Sequence, residues 1–577
     1  MNPSFLRSLI FLLAALVPFA ATAPLRAQIC ARPAPGSVVS DPPELRSANG
    51  SLKLELHFRS EISADGQQIF CYAYNGVAQS PTLRLHPGDE LTLTLFNDAA
   101  PPASPSSAAT AHSHSDMPAS PSDCTPDNAM TSFSTNLHFH GMTIPPACHQ
   151  DEVLHTLIQP RGPSFEYKFR LPEDALPGLY WYHPHVHGFT NAQVLGGASG
   201  AIIVEGLEQR NPLLAGLPQR VLIVRDQNLL HPDAEPVASP GMPPPRVIRD
   251  AEGDILNTGT DGGKPAKDLS LNYVPVAFPE YTPANVAVTP GKTHFWRLLN
   301  ASAITYLDLQ LLVDNRPQLL GVVAMDGAPL RPNPQTHQAI LWMSHILLPP
   351  AGRAEFLIKA LPEGVKASFI TRNVDTGPAG ENDPTRPLAT LLVRADAPAA
   401  ASAAPTALPA TEHSPPPERP WLGSVAPAHE RKLYFTEEPS NPSDPNSPTK
   451  FFITVEGQTP KLFDPSSGVP DMIVQQGDVE DWIIENRTRE LHAFHIHQTH
   501  FLLIEWNTIP IDEPMLRDTI NVGYWDGHSP QYPSVKLRID FRDPNIIGTF
   551  VYHCHLLEHE DGGMMGTIRV VPPASHP

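Results

Sequence analysis

Residues 553–564 read His553-Cys554-His555-Leu556-Leu557-Glu558-His559-Glu560-Asp561-Gly562-Gly563-Met564. A strand points alternate side chains to opposite faces. A strand over 549–557 therefore turns His553 and His555 one way and Cys554 the other. Cys554, with His559 and Met564 downstream, offers thiolate, imidazole and thioether, three of the four groups of a copper electron-transfer site. The two flanking imidazoles serve something on the opposite face. One strand thus joins two metal sites through covalently adjacent residues, a short route for an electron.

Three further clusters repeat the His-x-His pattern: His138-Phe139-His140, His183-Pro184-His185-Val186-His187, and His492-Ala493-Phe494-His495-Ile496-His497. On a strand such a pair presents two imidazoles on one face, which is how a β scaffold grips a metal. One pair means little. Four pairs, two early and two late, need a common purpose, because buried imidazoles require partners. His187, His149 and His500 read as non-ligands. Met565 adjoins Met564, but neighbours on a strand point apart, and the spacing from Cys554 favours Met564.

Around these clusters one phrase recurs. Gly88 opens an alternating strand that closes at Asn97, Gly291 one that closes at Asn300, and Gly477 one that closes at Asn486. Three copies at one spacing imply three copies of one β unit. Pro 68 and Gly 36 in 577 residues, with few amphipathic helical patterns, agree with a loop-rich, all-β chain. Lys+Arg 39 against Asp+Glu 60 gives a net charge of −21, which argues against nucleic acid or an anionic membrane as the main partner.

Residues 1–27 read as a secretory signal, with Arg7 before an apolar core over 9–20, and no other run is long enough to span a membrane. The expected location is periplasmic or extracellular. Setting Cys554 aside leaves Cys30, Cys71, Cys124 and Cys148, enough for two disulfides with three possible pairings in an exported protein. A Cys124–Cys148 bridge would tie down an Ala/Pro/Ser-rich insert at 98–127. Residues 396–420 form a Pro/Ala-rich linker, and 230–263 are turn-rich.

The four clusters, in this order, resemble the multicopper oxidases, laccase-type enzymes of three consecutive cupredoxin-like Greek-key β-barrel or sandwich domains. The resemblance is nearest to the bacterial spore-coat laccase and bilirubin oxidase branch and spans nearly the whole mature chain. It implies domains at 28–205, 206–395 and 431–577, with 396–430 as linker. It implies four copper ions. A type 1 copper takes His492, Cys554 and His559 with Met564 axial. A type 2 copper takes His138 and His495. Two type 3 coppers take His140, His183 and His555, and His185, His497 and His553. The chain departs from the usual pattern at Phe139, Ala493 and Gln498, none of which removes a ligand. The second domain carries no ligand motif.

By the same resemblance, a small-molecule reductant gives single electrons at the type 1 site, and dioxygen is reduced to water at the trinuclear cluster. That reduction consumes protons, so carboxylates are expected as relays. Glu560 and Asp151 match the family's acidic positions. Asp518 falls on a strand near the type 1 site, where it bonds His492 or steadies the fold. Met564 implies a low-to-intermediate potential. The leading expectation is a laccase-like oxidase of phenols and aromatic amines. The alternative is a metallo-oxidase of Cu(I), Mn(II) or Fe(II), which an acidic patch near His559 would favour. A copper-free structural member would have lost ligands, and none is missing.

Overall fold

The computed structural model describes residues 30–76, 78–100, 124, 130–234, 263–395, 419–444 and 447–573. The expected signal at 1–27, most of the 98–127 insert, 396–418 of the linker and most of the 230–263 stretch lie outside the described residues. Among the described residues the fold is all-β, in six sheets.

The thrice-repeated phrase has a structural meaning. Strand Glu90–Asn97 runs parallel to Ser51–Ile62 and antiparallel to Phe165–Arg170. Strand His294–Asn300 does the same between Gln219–Gln227 and Arg353–Ile358. Strand Val479–Asn486 repeats it between His429–Pro439 and Ser534–Asp540. The closing asparagine is buried each time and does one job. Its Oδ1 accepts the N–H two residues on (Ala99, Ser302, Thr488), and its Nδ2 donates to backbone carbonyls of neighbouring segments. A buried amide with its hydrogen bonds met explains why Asn recurs there.

Three large apolar clusters accompany the repeats, one around Leu56, Leu93 and Tyr182, one around Trp296 and Phe356, and one around Trp482, Phe494 and Tyr552. We call the surrounding parts the early, middle and late units. Smaller clusters sit where units meet: Leu179, Trp181 and Ile203 pack on Val221, Ile223 and Leu299, and Val194 on Ile304 and Leu557.

Six strands and two short helices carry the sites. In the early unit they are β1 (His138–His140), β2 (Gly178–His183) and α1 (Thr190–Leu195). In the late unit they are β3 (His492–Ile496), β4 (Thr519–Val522), β5 (Gly548–Cys554), α2 (Leu557–Asp561) and β6 (Met565–Val571). β1 pairs with β2, and β3 lies between β4 and β5. The expected strand over 549–557 is shorter than its pattern: it stops at Cys554 and the chain turns into α2. His185 and His497 likewise follow the ends of β2 and β3. Of the four pairs, only His138 and His140 lie wholly on a strand.

The disulfides are Cys30–Cys71 and Cys124–Cys148, the latter as expected for tying the insert, and Cys554 is free and buried. Among the described residues no helix is long and apolar enough to cross a membrane.

Candidate metal centres

Eight imidazoles converge between the early and late units. His138, His140, His183, His185, His495, His497, His553 and His555 are each at most 2% exposed. Rings from different units stack: His138 on His497 at 3.8 Å and 13°, and His140 on His495 at 3.9 Å and 12°. Trp181 lies over His183 at 4.0 Å.

The hydrogen bonds say which nitrogens face inward. His138 Nδ1 sits 3.0 Å from both oxygens of Asp151, and His495 Nδ1 bonds the Asp518 carbonyl at 2.8 Å. His183 Nδ1 bonds the Pro184 carbonyl at 2.9 Å, and His140 Nε2 bonds Asp518 Oδ1 at 3.2 Å. The other nitrogens of those rings, and both of His555, are buried without a partner. His553 Nε2 lies 3.3 Å from His497 Nε2 and 3.4 Å from His185 Nε2. Burial, with mutual repulsion, pushes these imidazoles towards the neutral form: His183 falls to about 3 and His553 to about 4. Neutral imidazoles with unshared lone pairs converging in a dry space fit metal cations, as unpaired buried nitrogens are otherwise costly.

A second cluster lies in the late core. Cys554 Sγ is 3.4 Å from His492 Nδ1 and 3.9 Å from His559 Nδ1, and the two Nδ1 atoms are 3.2 Å apart. That triangle of thiolate and two imidazoles fits one soft cation. Burial pushes the Cys554 thiol up. A metal would reverse this, since coordination deprotonates a thiol. Met564 is fully exposed to none of the solvent and packs in the same core as Cys554, whereas Met565 packs against Val153 and Val551.

The carboxylates divide between the two clusters. Asp151 is buried; it also accepts the Phe139 N–H at 2.9 Å and a bond from Gln498, and burial raises it to about 7. The unusual Gln498 therefore serves Asp151. Glu560 is buried with Oε2 3.3 Å from His553 Nδ1 and Oε1 3.7 Å from His185 Nδ1, and burial drives it well above the usual carboxylate range.

Asp518 does not bond His492. Antiparallel register pairs His492 with Val522 and His495 with Thr519, so Asp518 lies at the opposite end of β4 from His492. His492 Nε2 instead meets Thr488 Oγ1 at 2.9 Å and Glu437 Oε1 at 3.0 Å. His559 Nε2 lies 3.4 Å from Glu490 Oε1, and its ring stacks on Phe451 at 4.2 Å. Burial, then Glu437, push Glu490 well up. Burial also opposes ionisation of Glu437, but hydrogen bonds from His492 and Glu490 bring it down to about 2.

Among the other histidines, His149 bonds the Glu166 carbonyl and His500 the Asp326 carbonyl. His187 lies edge-on to Phe463 beside a cavity of about 310 Å³ that also touches His185 and Met565. Glu437, Glu490, Arg353 and Asp561 carry no spacing signature that sequence reasoning could have used.

One unit-spanning cluster of buried imidazoles and one thiolate triangle, joined through Cys554 and its neighbours, form two candidate metal sites on a cupredoxin-like fold. Two family models described as multicopper oxidase match residues 125–209 and 439–574. A multicopper oxidase of Staphylococcus haemolyticus is 24% identical over 505 residues, 86% of this chain and 83% of its own. A laccase of Bacillus subtilis is 24% identical over 525 residues, 87% of this chain and 90% of its own. Among solved structures, a Campylobacter jejuni multicopper oxidase, described as a metallo-oxidase, superposes with a TM-score of 0.62 at 21% identity, covering 94% of this chain and 96% of its own. The chain thus carries two stretches that match multicopper oxidase models and is similar to multicopper oxidases and laccases over most of its length, a likeness that marks an oxidoreductase.

Proposed function

We propose that the protein couples one-electron oxidation of a small reductant to four-electron reduction of dioxygen to water. Its ligands would be His492, Cys554, His559 and Met564 for a type 1 copper; His138 and His495 for a type 2 copper; and His140, His183 and His555 with His185, His497 and His553 for a type 3 pair. The observation that carries this reading is the set of buried, unpartnered imidazole nitrogens beside the Cys554 triangle. Bound copper would supply one-electron exchange at the thiolate and dioxygen reduction among the imidazoles.

The chain's own residues do the rest. The peptide links of Cys554 to His553 and His555 give the shortest covalent path between the sites. Glu560, whose carboxyl burial drives well above the usual range, stands with Oε2 3.3 Å from His553 Nδ1, placed to pass protons into the cavity. Asp151 orients His138 through Nδ1, leaving Nε2 for metal, as carboxylate–imidazole pairs do. The division into cupredoxin domains at 28–205, 206–395 and 431–577 is part of the same reading. So is export, which two disulfides favour.

For the donor, the sequence points first to phenols and aromatic amines. A specific observation favours the second class, low-valent metal ions: the outward Nε2 atoms of both type 1 imidazoles meet carboxylates, Glu437 and Glu490. Glu437, held ionised there, makes that edge attractive to cations rather than phenolates. The laccase name of one relative and the metallo-oxidase description of another are compatible with either class. Oxygen uptake by copper-loaded protein, against phenols, aromatic amines, Cu(I), Fe(II) and Mn(II), tests both steps. The reading expects four donor electrons per dioxygen and higher kcat/KM for a metal ion. Accumulation of peroxide contradicts it.

A further inference from the structure

The middle unit has no ligand motif, yet it reaches the wall of the imidazole cavity. Arg353 and Glu355 stand two apart on strand Arg353–Ile358, and so project from one face. Together they grip both polar groups of Leu179 in β2. Arg353 Nε donates to the Leu179 carbonyl at 3.2 Å, and the Leu179 N–H donates to Glu355 Oε2 at 2.9 Å. β2 is the strand that delivers Trp181 and His183. The rest of the Arg353 fork closes on Asp518 of the late unit, Nη1 to Oδ1 at 2.7 Å and Nη2 to Oδ2 at 2.5 Å. This is a bidentate pair with directional strength, and both side chains are fully buried.

Asp518 then touches one candidate ligand from each outer unit. Its Oδ1 accepts from His140 Nε2 at 3.2 Å and from Thr519 Oγ1 at 2.8 Å, and its carbonyl accepts from His495 Nδ1 at 2.8 Å. A neutral imidazole has one N–H, so each bond decides which nitrogen keeps its lone pair. The nitrogens left free are Nδ1 of His140 and Nε2 of His495, both buried and unpartnered. The approach leaves no room beside it. A Cβ on Gly141 would stand 2.5 Å from both Arg353 Nη2 and Asp518 Oδ2.

The structure assigns Arg353 as a positioning residue: it holds the Asp518 carboxylate in the orientation that sets the tautomer of His140, on the residue whose carbonyl sets that of His495, so the unit without ligands controls assembly of the metal cluster. Without the fork, Asp518 is free to turn away from His140, and Leu179 of β2 loses one of its two bonds to Arg353 and Glu355. The inference rests on the ligand reading proposed above.

The test compares full-length, copper-reconstituted wild type with Arg353→Met, Arg353→Lys and Gly141→Ala. Copper per chain, the thiolate–copper absorption, kcat and donor KM are measured for each. Arg353→Met and Gly141→Ala should keep the thiolate–copper band and lose cluster copper, with affinity or kcat down about 10–100-fold. Donor KM should stay within about two-fold, because the donor acts at the other site. Arg353→Lys keeps the charge without the fork and should fall between. Should Arg353→Met fail to fold, Arg353→Lys and Gly141→Ala are read in the same way. A mere interdomain clamp predicts a lower melting temperature with full copper content and unchanged kcat well below melting, and that result overturns the assignment. A wild type without cluster copper sinks the ligand reading instead.

Discussion

The thiolate site and the imidazole cavity are built in opposite ways. His492, Cys554, His559 and Met564 come from one unit and one apolar cluster, on β3, β5 and the turn around α2. The cavity takes four imidazoles from the early unit and four from the late one. A site inside one core inherits its geometry from that core's packing. A site between units has only the geometry of their docking and needs fasteners. Asp561 is one: its carboxylate accepts the N–H groups of Gly188, Thr190 and Asn191 at the start of α1. On α2, consecutive residues therefore serve different ends, with His559 at the thiolate site, Glu560 at the cavity and Asp561 at the seam.

Changes that separate the two sites should break this contrast most sharply. Cys554→Ser should erase the thiolate–copper band and lower kcat by about 10³-fold or more, while cavity copper remains, because the cavity does not use the sulfur. Asp151→Asn should do the reverse, keeping the band and costing about tenfold in turnover through a loosened His138. Asp561→Ala leaves three N–H groups unmet at the seam. It should cost about 2 kcal/mol in urea unfolding and weaken cavity copper first. Glu437→Gln should lower kcat/KM for Fe(II) or Cu(I) by about a factor of five, because Glu437 is the ionised carboxylate of the pair, and leave a neutral phenol unchanged.

A further prediction concerns acid. Burial holds His183 at about 3 and His553 at about 4 when folded. An unfolded histidine titrates near about 6.5. Between those values the unfolded chain binds more protons, so the copper-free protein should lose stability as pH falls from about 6.5 towards 4. Urea midpoints at several pH values check this, and a flat profile contradicts it. Copper should raise the midpoint throughout the range, since it binds the native arrangement.

Much of this contrast was legible in the sequence. The His-x-His pairs, the Cys554-His559-Met564 spacing and the Gly-to-Asn repeat are short-range patterns, and local chemistry demands them. Asp151 and Glu560 came from resemblance, and both abut cavity imidazoles. Asp518 was noticed, as a partner of His492 or a support for the fold; the bond to His492 is absent, because spacing does not reveal antiparallel register. Alternation was extended too far: His185, His497 and His555 lie past strand ends, where Pro184 and the turn into α2 end the pattern. Arg353 with Asp518 is 165 residues apart in sequence, and Gly188 with Asp561 is 373. Such pairs leave no local trace.

The most direct test is anomalous diffraction at the copper edge from copper-loaded crystals. The account predicts one peak between His492, Cys554 and His559, and three within the ring of eight imidazoles between the early and late units. Peaks confined to the thiolate triangle, or copper bound only outside these two clusters, would contradict it.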